Sequence, residues 1–122
     1  MAILPNMNEV NARPHREYIA EQAKIFKALG HPSRLLMVQA LRDGEKCVCD
    51  LQTLIGADMS TVSRHLAVLR EAGVVRSEKR GTNIYYALAL SCLDTFLHCT
   101  GTLIAERIRE KASLLGGGER AS

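Results

Sequence analysis

Four cysteines carry the most distinctive chemistry in this chain of 122 residues. Cys47 and Cys49 flank one valine in EKCVCDLQ, and Cys92 and Cys99 stand seven residues apart in SCLDTFLHC. Thiolates select soft ions, and trivalent arsenic or antimony, soft and pyramidal, takes three of them. The stretch CDLQTLIG reads as a short helix, so Cys47 and Cys49 are expected at or just before its N-terminus, where the macrodipole lowers a thiol's pKa. Residues seven apart on a helix share a side, so Cys92 and Cys99 are expected to point the same way. Their separation along such a helix, about 10 Å, exceeds the roughly 7 Å Cα limit for a disulfide. A bridge between Cys47 and Cys49 or between helices, zinc or cadmium at the four thiols, and simple burial of small apolar side chains are the competing readings.

A second set of residues suits a polyanion. Between Ser60 and Gly81 five basic residues (Arg64, Arg70, Arg76, Lys79, Arg80) face two acidic ones (Glu71, Glu78), while the rest of the chain nets zero within a formal charge of +3. A basic patch confined to one segment is what phosphate contact needs. Ser60, Thr61, Ser63, Arg64 and His65 cluster where a recognition helix presents short hydrogen-bonding side chains and a guanidinium to base edges. Arg64 is the expected base reader. Arg76, Lys79 and Arg80 would reach backbone phosphate or an adjacent minor groove, with Asn83 and Tyr85 assisting. A histidine at position 65 also suits packing under a turn.

The elements that position these residues follow from periodicity and punctuation. REYIAEQAKIFKALG places Ile19, Ala23 and Phe26 on one face of a helix that Gly30 ends, and Pro32 suits the first turn of a second helix, PSRLLMVQALRDG. That second helix has a broad apolar face: Leu35, Val38 and Leu41 with Leu36, Met37 and Ala40. Leu51, Leu54 and Ile55 are the expected buried side of the third helix. After GADM, Ser60 or Thr61 can N-cap a fourth helix, STVSRHLAVLREAG, and a tight glycine-containing turn between two helices reads as helix-turn-helix. VVRSEKRGTNIYYALAL has the composition of a two-stranded wing. SCLDTFLHCTGTLIAERIREKASLL reads as a long last helix, with Leu93, Phe96, Leu97, Leu103, Ile104 and Ile108 as its apolar side. Gly101 within it costs about 1 kcal/mol against alanine unless another chain's helix packs closely there.

The expected fold is therefore mainly α with a small β-hairpin, in the order α-α-α-α-β-β-α. Residues 1–15 are expected to form a flexible arm, 16–114 the winged helix-turn-helix domain and 115–122 a flexible tail. Hydrophobic residues at 47% and charged residues at 24% fit one soluble domain. With two Phe, three Tyr and no Trp, so small an aliphatic core gains by burying a face in a partner chain, and a homodimer is the expected state. No stretch approaches the roughly 20 apolar residues of a membrane span, and MAILP lacks a signal peptide's basic region and apolar run. The protein is expected in the cytoplasm with its thiols reduced. No phosphate loop, nucleophile-base set or paired carboxylates suggest an enzyme.

In this order the segments ALGHPSRLLMVQAL, STVSRHLAVLREAGVV and RGTNIYYAL closely resemble the ArsR/SmtB family of winged-helix metalloregulatory repressors, over roughly residues 17 to 112. The resemblance implies a homodimer joined by its first and last helices, binding a palindromic double-stranded operator without a cofactor and leaving it when an inducer binds. CVCDL resembles the arsenic-sensing subgroup, which implies As(III) or Sb(III) as inducer. One version of that pattern has a third cysteine where this chain has Gln52, so the third sulfur is expected from Cys92 or Cys99 of either chain. The family's zinc and cadmium sensors carry an acidic residue and a histidine two apart on the last helix, then a second histidine. Here Asp94 and His98 are four apart with no later histidine, so zinc at that helix is not expected. A redox, persulfide or cadmium/zinc-responsive repressor of the same fold is the alternative. A winged-helix protein-interaction module is the alternative of another class.

Overall fold

The computed structural model describes residues 13–116. In chain order these form α1 (Arg13–Leu29), α2 (Pro32–Leu41), β1 (Lys46–Cys47), α3 (Val48–Ile55), α4 (Met59–Glu71), β2 (Val75–Arg80), β3 (Asn83–Leu88) and α5 (Leu93–Gly116). They fall into two compact units, one ending at Leu90 and one beginning at Ser91. The arm expected over residues 1–15 lies outside the described residues except for its last three, which open α1. Of the expected tail, Leu115 and Gly116 belong to α5 and the rest lies outside.

Helix starts follow local capping chemistry. His31, extended at φ −122°, caps α2 by accepting the Ser33 N–H on Nδ1 at 3.1 Å, with Pro32 at the first helical position. Arg34 of α2 reaches back to the end of α1, where Nε donates to the Ala28 carbonyl at 2.6 Å and Nη2 to that of Lys27 at 3.3 Å. These two bonds satisfy carbonyls that a helix end leaves unpaired, and they fix the α1–α2 corner. At α4 the cap is Asp58, which accepts the Thr61 N–H at 2.8 Å and the Ser60 hydroxyl at 3.2 Å. Ser60 and Thr61, expected as caps, thus lie inside the first turn, because a carboxylate placed one residue before the helix accepts that N–H more strongly than a hydroxyl.

The helix-turn-helix corner is made by α3, Gly56–Ala57–Asp58 and α4. Gly56 takes the left-handed conformation (φ 72°) that closes α3, which a side chain would strain. Gln52, standing where the resembling pattern has a third thiol, donates from Nε2 to the Ala57 carbonyl at 3.4 Å and braces this turn.

The expected hairpin is part of a three-stranded antiparallel sheet of order β1-β3-β2. Arg80 pairs with Asn83 and Val75 with Leu88 across the hairpin, while Lys46 and Cys47 pair with Tyr86 and Tyr85. Two residues are too few to announce a strand by alternation, and β1 exists because β3 offers it an edge.

The core of the first unit holds Met37, Val38 and Leu41 of α2, Leu51 of α3, Val62, Leu66 and Leu69 of α4, and Val74, Val75 and Tyr86 of the wing. Leu35, Leu36 and Leu54, expected inside, are exposed. So is the expected inner face of α1, with Ile19 at 47% and Phe26 at 54% exposure. In the second unit Leu93 and Leu97 are buried, whereas Phe96, Leu103, Ile104 and Ile108 are exposed. A side chain added at Gly101 would meet nothing within 4 Å. No helix among the described residues is long and apolar enough to cross a membrane.

Candidate functional site

The first unit carries the residues predicted to contact DNA together with Cys47 and Cys49, and the second carries Cys92 and Cys99. On α4, Ser60, Ser63 and Arg64 are exposed and Thr61 is half-buried. Arg64 donates from Nη2 to Thr61 Oγ1 at 3.2 Å, which tethers its flexible stem on the outer face of the helix. His65 turns the other way. It is half-buried, its ring 4.5 Å from that of His31, and Arg34 Nη1 lies 3.4 Å from its Nδ1. One residue of helix rotates a side chain by about 100°, so His65 borders the Val62–Leu66–Leu69 core face and joins α4 to α2 instead of accompanying Arg64.

Burial lowers the His65 pKa, and the neighbouring His31, Arg34 and Arg64 charges lower it further. A histidine depressed in the folded state takes up more protons when unfolded. Its contribution to stability is complete above the ordinary value of 6.5 and is lost as pH falls through that value toward the lower folded pKa. We expect the urea midpoint to fall between about pH 7.5 and pH 5.5, and His65→Gln to flatten that fall. An unchanged pH dependence in the variant would remove His65 from this role.

On the wing, strand alternation sorts the predicted residues. Arg76 and Arg80 lie on one face with their cross-strand partners Ala87 and Asn83, and Glu78 pairs with Tyr85 between them. Lys79, the alternate residue, is exposed on the opposite face. Arg76 donates from Nη1 to the Leu88 carbonyl at 2.8 Å. Arg80 is held by Glu78 and by Glu45, which no motif in the sequence singled out, and its guanidinium lies 4.8 Å from the Tyr85 ring centre. Arg70 reaches Ser77 at 3.4 Å, linking recognition helix to wing.

The thiol segment lies against this sheet. Cys47 is the N-cap of α3, its Sγ accepting the Asp50 N–H at 3.4 Å, and Cys49 is exposed in the first turn. The Asp50 N–H draws the Cys47 pKa down, but burial, the Cys49 thiol and the Asp50 carboxylate outweigh it, and the net shift is upward. The pull of the helix start on the Cys47 thiol is thus opposed by its surroundings. Cys92 stands just before α5 instead of within it, its carbonyl accepting the Phe96 N–H at 3.3 Å, and Cys99 is exposed on the helix. Both are exposed in the second unit. Among the described residues no group of three or more His, Cys, Asp or Glu is gathered as a metal site; the nearest approach to a donor set in one segment is the Cys47–Cys49 pair, which fits a thiophilic ion in part, with two sulfurs.

The profile of the family described as "Bacterial regulatory protein, arsR family" matches residues 31–77, which run from the α2 cap into the wing. The arsenical resistance operon repressor of Escherichia coli K12 is 42% identical over 67 residues, 54% of this chain and 57% of that protein. The chain spans about half the length of several curated relatives it matches, 52% for one and 58% for another. Among solved structures, the transcriptional repressor BigR of Xylella fastidiosa is 32% identical with a TM-score of 0.64, covering 74% of this chain and 92% of that one. A homodimeric winged helix-turn-helix DNA-binding domain from Mycobacterium bovis has the same fold, with a TM-score of 0.72 at 24% identity over 81% of this chain and 92% of that one. With the profile centred on the helix-turn-helix and the Xylella repressor matched along nearly its whole length, this chain belongs to the arsR family of bacterial regulatory proteins.

Proposed function

We propose that the protein is a cytoplasmic, homodimeric transcriptional repressor that binds a palindromic operator and releases it when As(III) or Sb(III) is taken up by cysteine thiols. The observation that carries this reading is that one compact unit presents Ser60, Ser63 and Arg64 on the outer face of α4, Arg76 on the adjoining wing and the Cys47–Cys49 pair at the start of α3. Related helices enter the major groove by their N-terminal residues, and two such helices about 34 Å apart read successive half-sites. The exposed apolar faces of α1 and α5, with Ile108 at 63% exposure, suit burial against a second copy of this chain.

When bound, the ion would be held by Cys47 and Cys49 with a third sulfur from Cys92 or Cys99, so that the start of the reading head and the last helix become linked. A coupling of about 1–3 kcal/mol changes operator affinity roughly 5- to 150-fold. A repressor of the same fold responding to cadmium, zinc or a persulfide is the second reading. Its persulfide form needs only the two sulfurs that this one segment supplies.

The test is to titrate the reduced protein on its own upstream duplex with arsenite, antimonite, cadmium, zinc and a persulfide donor, following release by fluorescence anisotropy. Retention that falls steeply with salt and ends on adding arsenite or antimonite supports the first reading. Failure to bind any duplex leaves the interaction module. Arg64→Ala is expected to weaken operator binding by about 10- to 100-fold, the worth of one good base contact. An affinity unchanged in that variant would remove Arg64 as the base reader.

A further inference from the structure

Glu45 lies in the loop between α2 and β1, and Arg80 is the last residue of β2, 35 positions later. Arg80 Nη1 and Nη2 donate separately to the two Glu45 carboxylate oxygens, the second at 2.9 Å, and Nε donates to Glu78 Oε1 at 2.8 Å. All three guanidinium nitrogens thus face carboxylate oxygens. The Tyr85 ring lies under the group. This paired fork is the geometry by which arginine grips a phosphate, and here it is already filled from within the chain.

The charge count on that face sharpens the point. The shallow groove along it is lined by Arg76 and Arg80 but also by Glu45 and Glu78, so its formal charges cancel. A neutral surface gives a polyanion little to bind. Glu45 contributes one of the two opposing charges from outside the wing.

We propose that Glu45 is a built-in competitor for DNA phosphate, a carboxylate latch that, while closed, keeps Arg80 off the operator backbone. This rests on the DNA-binding reading given above. The side chains of Arg80 and Glu45 are 48% and 45% exposed, so a phosphate can reach the pair, and exposed ion pairs are weak enough to exchange. Glu45 also directly precedes Lys46–Cys47, which places the latch on the segment that carries the thiols.

The test is a double-mutant cycle of Glu45→Gln and Arg80→Gln on the protein's own upstream duplex, measured across a salt series, with thermal melts to show that each variant is folded. Freeing Arg80 adds one phosphate contact, which steepens the salt slope by about 0.9 and, measured against 1 M salt, corresponds to about fivefold tighter binding near 0.15 M. Glu45→Gln is expected to show both changes. In the Arg80→Gln background the same substitution should leave the slope unchanged, because no guanidinium remains to be released. Additive effects, or weaker binding by a folded Glu45→Gln variant, would overturn the latch and leave the repressor reading standing. If the wild-type protein binds no duplex even at low salt, the repressor reading fails and the latch with it.

Discussion

Replacing Cys47 and Cys49 together by serine is expected to leave operator affinity within about twofold of wild type and to abolish release by arsenite. Cys47 starts α3 by accepting the Asp50 N–H on its sulfur, and a serine hydroxyl is a preferred N-cap for the same N–H. The helix-turn-helix therefore keeps its geometry, and the outer face of α4 is untouched. A hydroxyl, by contrast, is a hard ligand that does not ionise near neutral pH and does not replace thiolate toward a soft ion. Anisotropy titrations with and without arsenite measure both quantities at once. A folded variant that no longer binds DNA, or one that still releases on arsenite, would sink the assignment. Ligation of a thiol removes its proton. With arsenite each thiol proton leaves with a hydroxide as water, so apparent affinity should change little with pH below the thiol pKa, whereas for cadmium or zinc it should rise about tenfold per pH unit for each proton displaced. Single Cys92→Ser and Cys99→Ser variants report which sulfur completes the set.

The second large effect is on stability. Leu66 has no exposed surface, and it lies at the centre of the α4 face that also buries Val62 and Leu69. Leu66→Ala removes its transfer energy and leaves a cavity, for about 2–5 kcal/mol. Against a total of about 5–15 kcal/mol for a domain this is severe, and it corresponds to a melting temperature lower by about 4–8 °C per kcal/mol in a domain near 100 residues. Measurement at a fixed protein concentration matters, since the melting point of the proposed dimer depends on it. Far-ultraviolet circular dichroism on heating checks the value. Retained DNA binding in the cold with loss on warming would show that Leu66 acts through the fold, whereas a melting point within a degree or so of wild type would contradict its central place.

The core of α4 was legible because Val62, Leu66 and Leu69 repeat with the helical period, and the wing because Val, Ile and Tyr bracket a glycine turn. For α1 and α5 the period identified the apolar stripe correctly but not its fate. Ile19 and Phe26 are exposed in a single chain, since periodicity records that a face is apolar without recording which surface covers it. Site residues divided in the same way. Arg64 and Ser63 follow from position on a recognition helix, whereas His65, one residue on, turns inward toward His31 and Arg34.

By itself the sequence determined the order of the five helices and the hairpin, the recognition-helix segment and the pair of thiols at a helix start, because each depends on residues within a few positions of one another. The tertiary structure alone decided that β1 joins the wing, that burial and the neighbouring Cys49 and Asp50 side chains raise the Cys47 pKa against the pull of the Asp50 N–H, and that Arg80 is spent on Glu45. Each of these depends on groups brought together across a fold: a strand edge supplied by β3, the partial burial of a sulfur, and a carboxylate 35 residues from its arginine. Local spacing carries no record of such meetings, and the free energies that set them arise only when the chain has closed on itself.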